Sequence, residues 1–78
     1  MPTVLRVKGY RFFFFSNERN EPVHIHVEKS DSYVKFWLKP IGVAVNYGFN
    51  SKQLREISEI IEENLDLIIT KWNEYFSK

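Results

Sequence analysis

Two histidines, His24 and His26, stand one residue apart in Pro22-Val23-His24-Ile25-His26-Val27-Glu28. In an extended strand such side chains leave the same face about 6 to 7 Å apart. Three kinds of chemistry suit the pair. One imidazole can take a proton from a ribose hydroxyl while the other gives one to the leaving oxygen, the scheme of a small metal-independent ribonuclease. The two can share a metal ion, as in a metal-dependent hydrolase, although two imidazoles fill only half of a tetrahedral coordination sphere. Or both are surface or interface histidines, hydrogen-bonded to neighbours. Glu28 cannot join a metal site with them, because four strand residues span about 13 Å. Asn46, Glu18, Glu21 and Asp31 remain as third ligands, and no spacing selects any of them. No metal and no cofactor is expected.

Competing chemistries are scarce. The chain has no cysteine, which removes thiolate nucleophiles, thiolate metal sites and disulfides, and which suits a reducing cytoplasm. Ser16, Ser30, Ser32 and Ser51 fall in turns or at a helix cap, where serine serves local hydrogen bonding. Gly9, Gly42 and Gly48 form no phosphate-cradling loop.

The elements that position the histidines follow from a change of hydrophobic period, from alternation before residue 47 to helical spacing after residue 50. Strands are expected over about 3–7, 10–16, 23–29 and 33–39, with a fifth at 43–46. Lys8-Gly9 reads as a tight hairpin turn, 16–22 as a polar loop, and Ser30-Asp31 as a turn; Pro40 and Gly42 stop the fourth strand. Leu54, Ile57, Ile61, Leu65, Ile68, Trp72 and Tyr75 step by three or four and lie along one helical stripe. Asn50 with Gln53 forms a capping box, and Phe49 and Leu54 take the staple positions. A helix over 51–76 is long for so small a domain, so a kink or break is placed at Asn64, whose amide can cap a second segment. The result is one α+β domain, residues 1–78, strand-rich over 1–47 and helical over 50–76. A small antiparallel sheet of four to five strands carries the C-terminal helix on one face.

Centring a turn on Ser30 and Asp31 sets His26 opposite Lys35, His24 opposite Trp37 and Glu28 opposite Tyr33. The intervening Ile25, Val27, Val34, Phe36 and Leu38 are all apolar and must face the helix. Phe12 to Phe15 put phenylalanine on both faces. With Tyr10, Phe12 and Phe14 in the core, Arg11, Phe13 and Phe15 join the histidines; the reverse assignment still leaves two phenylalanines there. An aromatic patch of this kind is unusual on a lone monomer, so this face is expected to be covered by another chain. Its candidate binding residues are Arg11, Phe13, Phe15, Tyr33, Lys35 and Trp37. Tyr33 and Trp37 also suit base stacking, which keeps RNA among the partners.

Size and charge narrow the classes further. Seventy-eight residues allow one domain, and so short a chain buries only about 60% of its unfolded surface, which its 17% aromatic content helps to offset. Net charge is +1, far from a nonspecific nucleic-acid binder. Residues 1–50 hold seven Lys/Arg against four Asp/Glu, and residues 51–78 four against six, so the first part is mildly cationic and the last mildly anionic. The longest apolar run is four residues, too short for a membrane span, and Arg6 and Lys8 interrupt any leader-like segment. A cytoplasmic protein is expected.

Gly9-Tyr10-Arg11-Phe12-Phe13-Phe14-Phe15-Ser16-Asn17-Glu18, Glu21-Pro22 followed by His24-Ile25-His26-Val27, Lys35-Phe36-Trp37-Leu38 and Gly48-Phe49-Asn50, behind Met1-Pro2-Thr3-Val4-Leu5-Arg6, resemble the small bacterial domain catalogued as domain of unknown function 4160. The resemblance spans nearly the whole chain. Val23 departs from it, standing where the pattern has a second proline, which touches loop rigidity more than chemistry. The resemblance implies a small soluble bacterial protein, often encoded beside another small domain in an arrangement like a toxin-antitoxin operon. It assigns no catalytic residue. The leading functional expectation is an interaction component of such a two-gene module, partnered by itself or a small cognate protein. The ribonuclease with His24 and His26 as acid and base is the alternative, and the metal-dependent hydrolase the third.

Overall fold

Hairpins with short turns give an up-and-down sheet, because each turn sequence reverses the chain before a helical pattern begins. The structure, a computed structural model, describes residues 3–15 and 20–76. Five strands, β1 (Thr3–Val7), β2 (Tyr10–Phe13), β3 (His24–Lys29), β4 (Ser32–Leu38) and β5 (Ile41–Tyr47), form an antiparallel meander in the order β1-β2-β3-β4-β5. Two helices follow, α1 (Ser51–Glu63) and α2 (Leu65–Phe76). Lys8 and Gly9 both have positive φ, 54° and 85°, as a two-residue hairpin turn matched to strand twist requires. Ser30, with φ 54°, opens the second such turn. The register across it has His24 opposite Trp37, His26 opposite Lys35 and Glu28 opposite Tyr33, as a turn centred on Ser30 and Asp31 predicts.

Two strand boundaries differ from expectation. β2 ends at Phe13 rather than near residue 16, so Phe14 and Phe15 have already left the sheet; Ser16 and Glu18 lie outside the described residues. The fifth strand is longer than the pattern suggests and includes Gly42, opposite Trp37. The chain therefore turns at Lys39-Pro40 alone, and a Cβ at Gly42 would meet open space. β5 carries a bulge: Lys35 pairs with Val45 and Phe36 with Val43, leaving Ala44 extra.

The core lies between the sheet and the helices. Tyr10, Phe12 and Phe14, not the reverse set, face the helices with Ile25, Val27, Val34, Phe36 and Leu38. From the helices come Ile57, Ile61, Ile68 and Trp72 of the stripe, with Ile60 beside it. Each such side chain contributes roughly 1.5 to 3 kcal/mol by leaving water. Phe14 is surrounded by rings, at 5.4 Å from Trp72, 6.2 Å from Tyr75 and 5.9 Å from Phe76.

The capping box forms as read: the Asn50 side chain accepts from Gln53 N at 2.8 Å and Asn50 N donates to the Gln53 side chain at 3.0 Å. The helical stretch does break at Asn64, but its side chain works in the other direction. Nδ2 donates to Ile60 O at 2.8 Å and closes the end of α1, while the Asn64 carbonyl accepts from Ile68 N and starts α2. An amide at the last turn meets unpaired carbonyls, which need a donor.

Candidate functional site

The sheet face turned away from the helices collects both histidines and all six candidate binding residues. β2 supplies Arg11 and Phe13, the chain just after it Phe15, β3 His24, His26 and Glu28, and β4 Tyr33, Lys35 and Trp37. β5 adds Val45 and Tyr47, opposite Lys35 and Tyr33. The sequence assigns no face to this strand, whose expected span of 43–46 stops short of Tyr47, and the bulge at Ala44 breaks the alternation that would assign one.

Burial on this face is uneven. His24 is 0% exposed, His26 2% and Phe13 3%, so the chain itself covers three residues expected to await a partner. The described cover is aromatic. Phe15 lies 4.2 Å from the His26 ring and Phe13 stacks on it at 5.5 Å. β2 pairing stops at Phe13 opposite His26, so no β2 residue flanks His24. There Trp72 of α2 meets the His24 ring at 5.0 Å, with Trp37 at 5.8 Å and His26 at 5.0 Å.

Hydrogen bonding restricts what each imidazole can do. His24 Nδ1 is 2.9 Å from Pro22 O, and since a carbonyl only accepts, that nitrogen carries the proton. His26 Nδ1 is 2.6 Å from the Tyr33 hydroxyl. Glu21 Oε1 lies 4.0 Å from His24 Nδ1 and also receives Lys35 Nζ. Among the described residues no three His, Asp or Glu side chains converge as metal ligands. Of the four third-ligand candidates, Asn46 is bonded on both sides of its amide to Phe49 backbone, Glu21 to Lys35, and Glu18 lies outside the described residues.

The cations are likewise engaged. Arg11 bonds Glu28 at 2.8 Å and Thr3 at 2.9 Å, with its guanidinium 4.4 Å above Phe13. Lys35 pairs with Glu21 and lies 4.6 Å over Trp37.

Two groups that titrate away from their ordinary range, Tyr10 and Glu56, are on the helix side. Tyr10 donates to Glu56 at 2.8 Å, and burial, helped by that bond and the carboxylate's charge, pushes its phenol up to about 12. Glu56 is held below the usual carboxylate range, first by the Tyr10 bond, with Lys8 and Lys29 adding to it against a smaller desolvation effect. Nothing in the spacing announces a bond across 46 positions.

Among the described residues no helix is long and apolar enough to cross a membrane. Neither the curated proteins nor the solved structures compared with this chain give a match. One family model does match, Domain of unknown function (DUF4160), over residues 9–73. That span contains both histidines, both cations and every ring of the far face, and the chain belongs to the DUF4160 family.

Proposed function

We propose that this chain is a protein-interaction component of a bacterial, cytoplasmic two-gene module of the toxin-antitoxin kind, and that it docks a small cognate protein on the far face. The two-gene setting rests on the family resemblance. The docking rests on one observation, a row of rings crossing the sheet: Phe15 to His26 at 4.2 Å, His26 to Tyr33 at 5.8 Å and Tyr33 to Tyr47 at 6.1 Å. In its middle His26 is buried and Tyr33 half-buried, while Phe15 at 37% and Tyr47 at 66% keep both ends in solvent. Rigid aromatic groups held in place by their neighbours suit interface anchors, since little side-chain entropy is lost on binding.

Protein is favoured over RNA because Arg11 and Lys35 are already paired with carboxylates, which leaves less positive charge for phosphates. Catalysis is disfavoured because acid and base must reach the reacting atoms, and both imidazoles are buried.

The test is co-expression with the product of the adjacent gene, followed by calorimetric titration of the separated proteins. A defined complex is expected, weakened about 10-fold or more by Phe15→Ala or Trp37→Ala with the fold intact by circular dichroism. Absence of a complex, or one indifferent to both variants, overturns the proposal. Binding of single-stranded RNA lost in the same variants would reassign the face to RNA.

A further inference from the structure

The edge of the sheet carries a second surface, which meets the far-face row at Tyr47. β5 has β4 on one side only, and none of its seven residues is charged, in a chain that is 27% charged. Five large apolar side chains among the described residues are notably exposed, and three of them, Val43 at 47%, Val45 at 38% and Tyr47 at 66%, lie on this strand. Edge strands that stay unpaired in water are usually guarded by charge or proline. The other edge follows that rule, since β1 has the exposed Arg6 within it.

We infer that β5 is a strand-pairing edge at which two copies of this chain join antiparallel, about a two-fold axis through Asn46. The bulge selects the register. Before Ala44, Val43 shares the helix side with Phe36; after it, Val45 and Tyr47 share the far side with Lys35 and Tyr33. Antiparallel pairing in one sheet keeps faces matched. A register centred on Ala44 would set Val43 against Val45 from opposite faces. Centring on Asn46 sets Val45 against Tyr47 of the second copy, twice, with Asn46 against Asn46. That register pairs an aromatic with a β-branched side chain on both sides of the axis, a favourable cross-strand combination. The segment before the bulge offers only Ile41 against Val43 around Gly42, which has no side chain to contribute.

A second copy is the fitting occupant because the strand is self-complementary: every pair across the junction is uncharged, and a two-fold contact uses each edge once and closes. The junction is short, so the dimer is weak and concentration-dependent. The inference stands apart from the docking proposal although the two share Tyr47, because the docking tests alter Phe15 and Trp37 and leave β5 unaltered.

Sedimentation velocity on the intact chain from about 10 µM to about 1 mM should show a dimer fraction that rises with concentration. Val45→Glu, beside its own Lys35, and Tyr47→Lys should each weaken association about 10-fold or more, and the double variant should return to within about 3-fold of the original, because Glu then faces Lys across the axis. A monomer throughout, single variants without effect, or a double variant no better than the singles overturns the inference. Hydrogen exchange on the unaltered chain checks it without any variant: the amides among Val45 to Tyr47 that point away from β4 should gain protection with concentration while those of Thr3 to Val7 do not. Unchanged protection on β5 likewise overturns it.

Discussion

The imidazole of His24, a residue of the sheet face turned away from the helices, meets the indole of Trp72 on α2 edge-on at 5.0 Å. A helix thus reaches a side chain of the opposite layer because β2 pairing ends two residues short of His24. The contact makes His24 part of the packing, alongside His26 beneath Phe13 and Phe15.

His24→Ala and His26→Ala should therefore act on stability. Removing a fully buried ring leaves a cavity and strips its neighbours of contacts, with an expected loss of about 2 to 4 kcal/mol for each. Urea unfolding measures this. The acid–base alternative expects something else, an RNA cleavage activity that falls about 100-fold or more in variants that remain folded. Chelator-resistant cleavage by the unaltered chain, lost in both variants, would restore that reading.

The Tyr10–Glu56 bond should shape stability at both ends of the pH scale. Glu56 titrates lower when folded, so its contribution is full above its ordinary value and is lost as pH falls through the folded one. Tyr10 titrates higher when folded, so its contribution is full below pH 10.0 and is lost as pH rises towards about 12. Tyr10→Phe should lower stability at neutral pH only modestly, since its charged partner is half-exposed and the bond is only partly shielded from water. It should also flatten the alkaline decline in a series of thermal melts. A decline identical in both proteins would show that other groups cause it.

Gly48 should resist substitution for two separable reasons. Its φ is +99°, and a Cβ there would come within 2.7 Å of Ser32 Oγ. Gly48→Ala is expected to cost about 1 to 3 kcal/mol. Adding Ser32→Gly should recover the steric part only, leaving a deficit in denaturant titrations; full recovery would mean that the backbone conformation is not the constraint.

Much of this architecture was legible because local signals agreed. Ser30-Asp31 between two alternating runs gave the register of β3 against β4, and Asn50 with Gln53 gave the start of α1. Asn64 marked the helix break, though not which helix its side chain would serve. Alternation also assigned His24 and His26 to the far face. What it could not supply was cover, because alternation says which side a residue leaves the strand and nothing about what the chain lays over it. Phe15 reaches His26 only after the strand has ended, and Trp72 reaches His24 from 48 positions away. Val45 and Tyr47 were not placed at all, since the expected fifth strand ended at 46 and the bulge at Ala44, a single extra residue, inverts every facing assignment beyond it.

Phe14 and Phe15 are neighbours in the chain but serve opposite layers, one ring among Trp72, Tyr75 and Phe76 and the other on His26. A single peptide unit therefore rivets the seat of the last helix to the middle of the far-face row. Loosening at the C-terminal turn should therefore show as slack on the other side of the sheet, and pressure on Phe15 should be felt beneath α2. In mechanical terms the two faces of this small sheet share a fastener and cannot be adjusted one at a time.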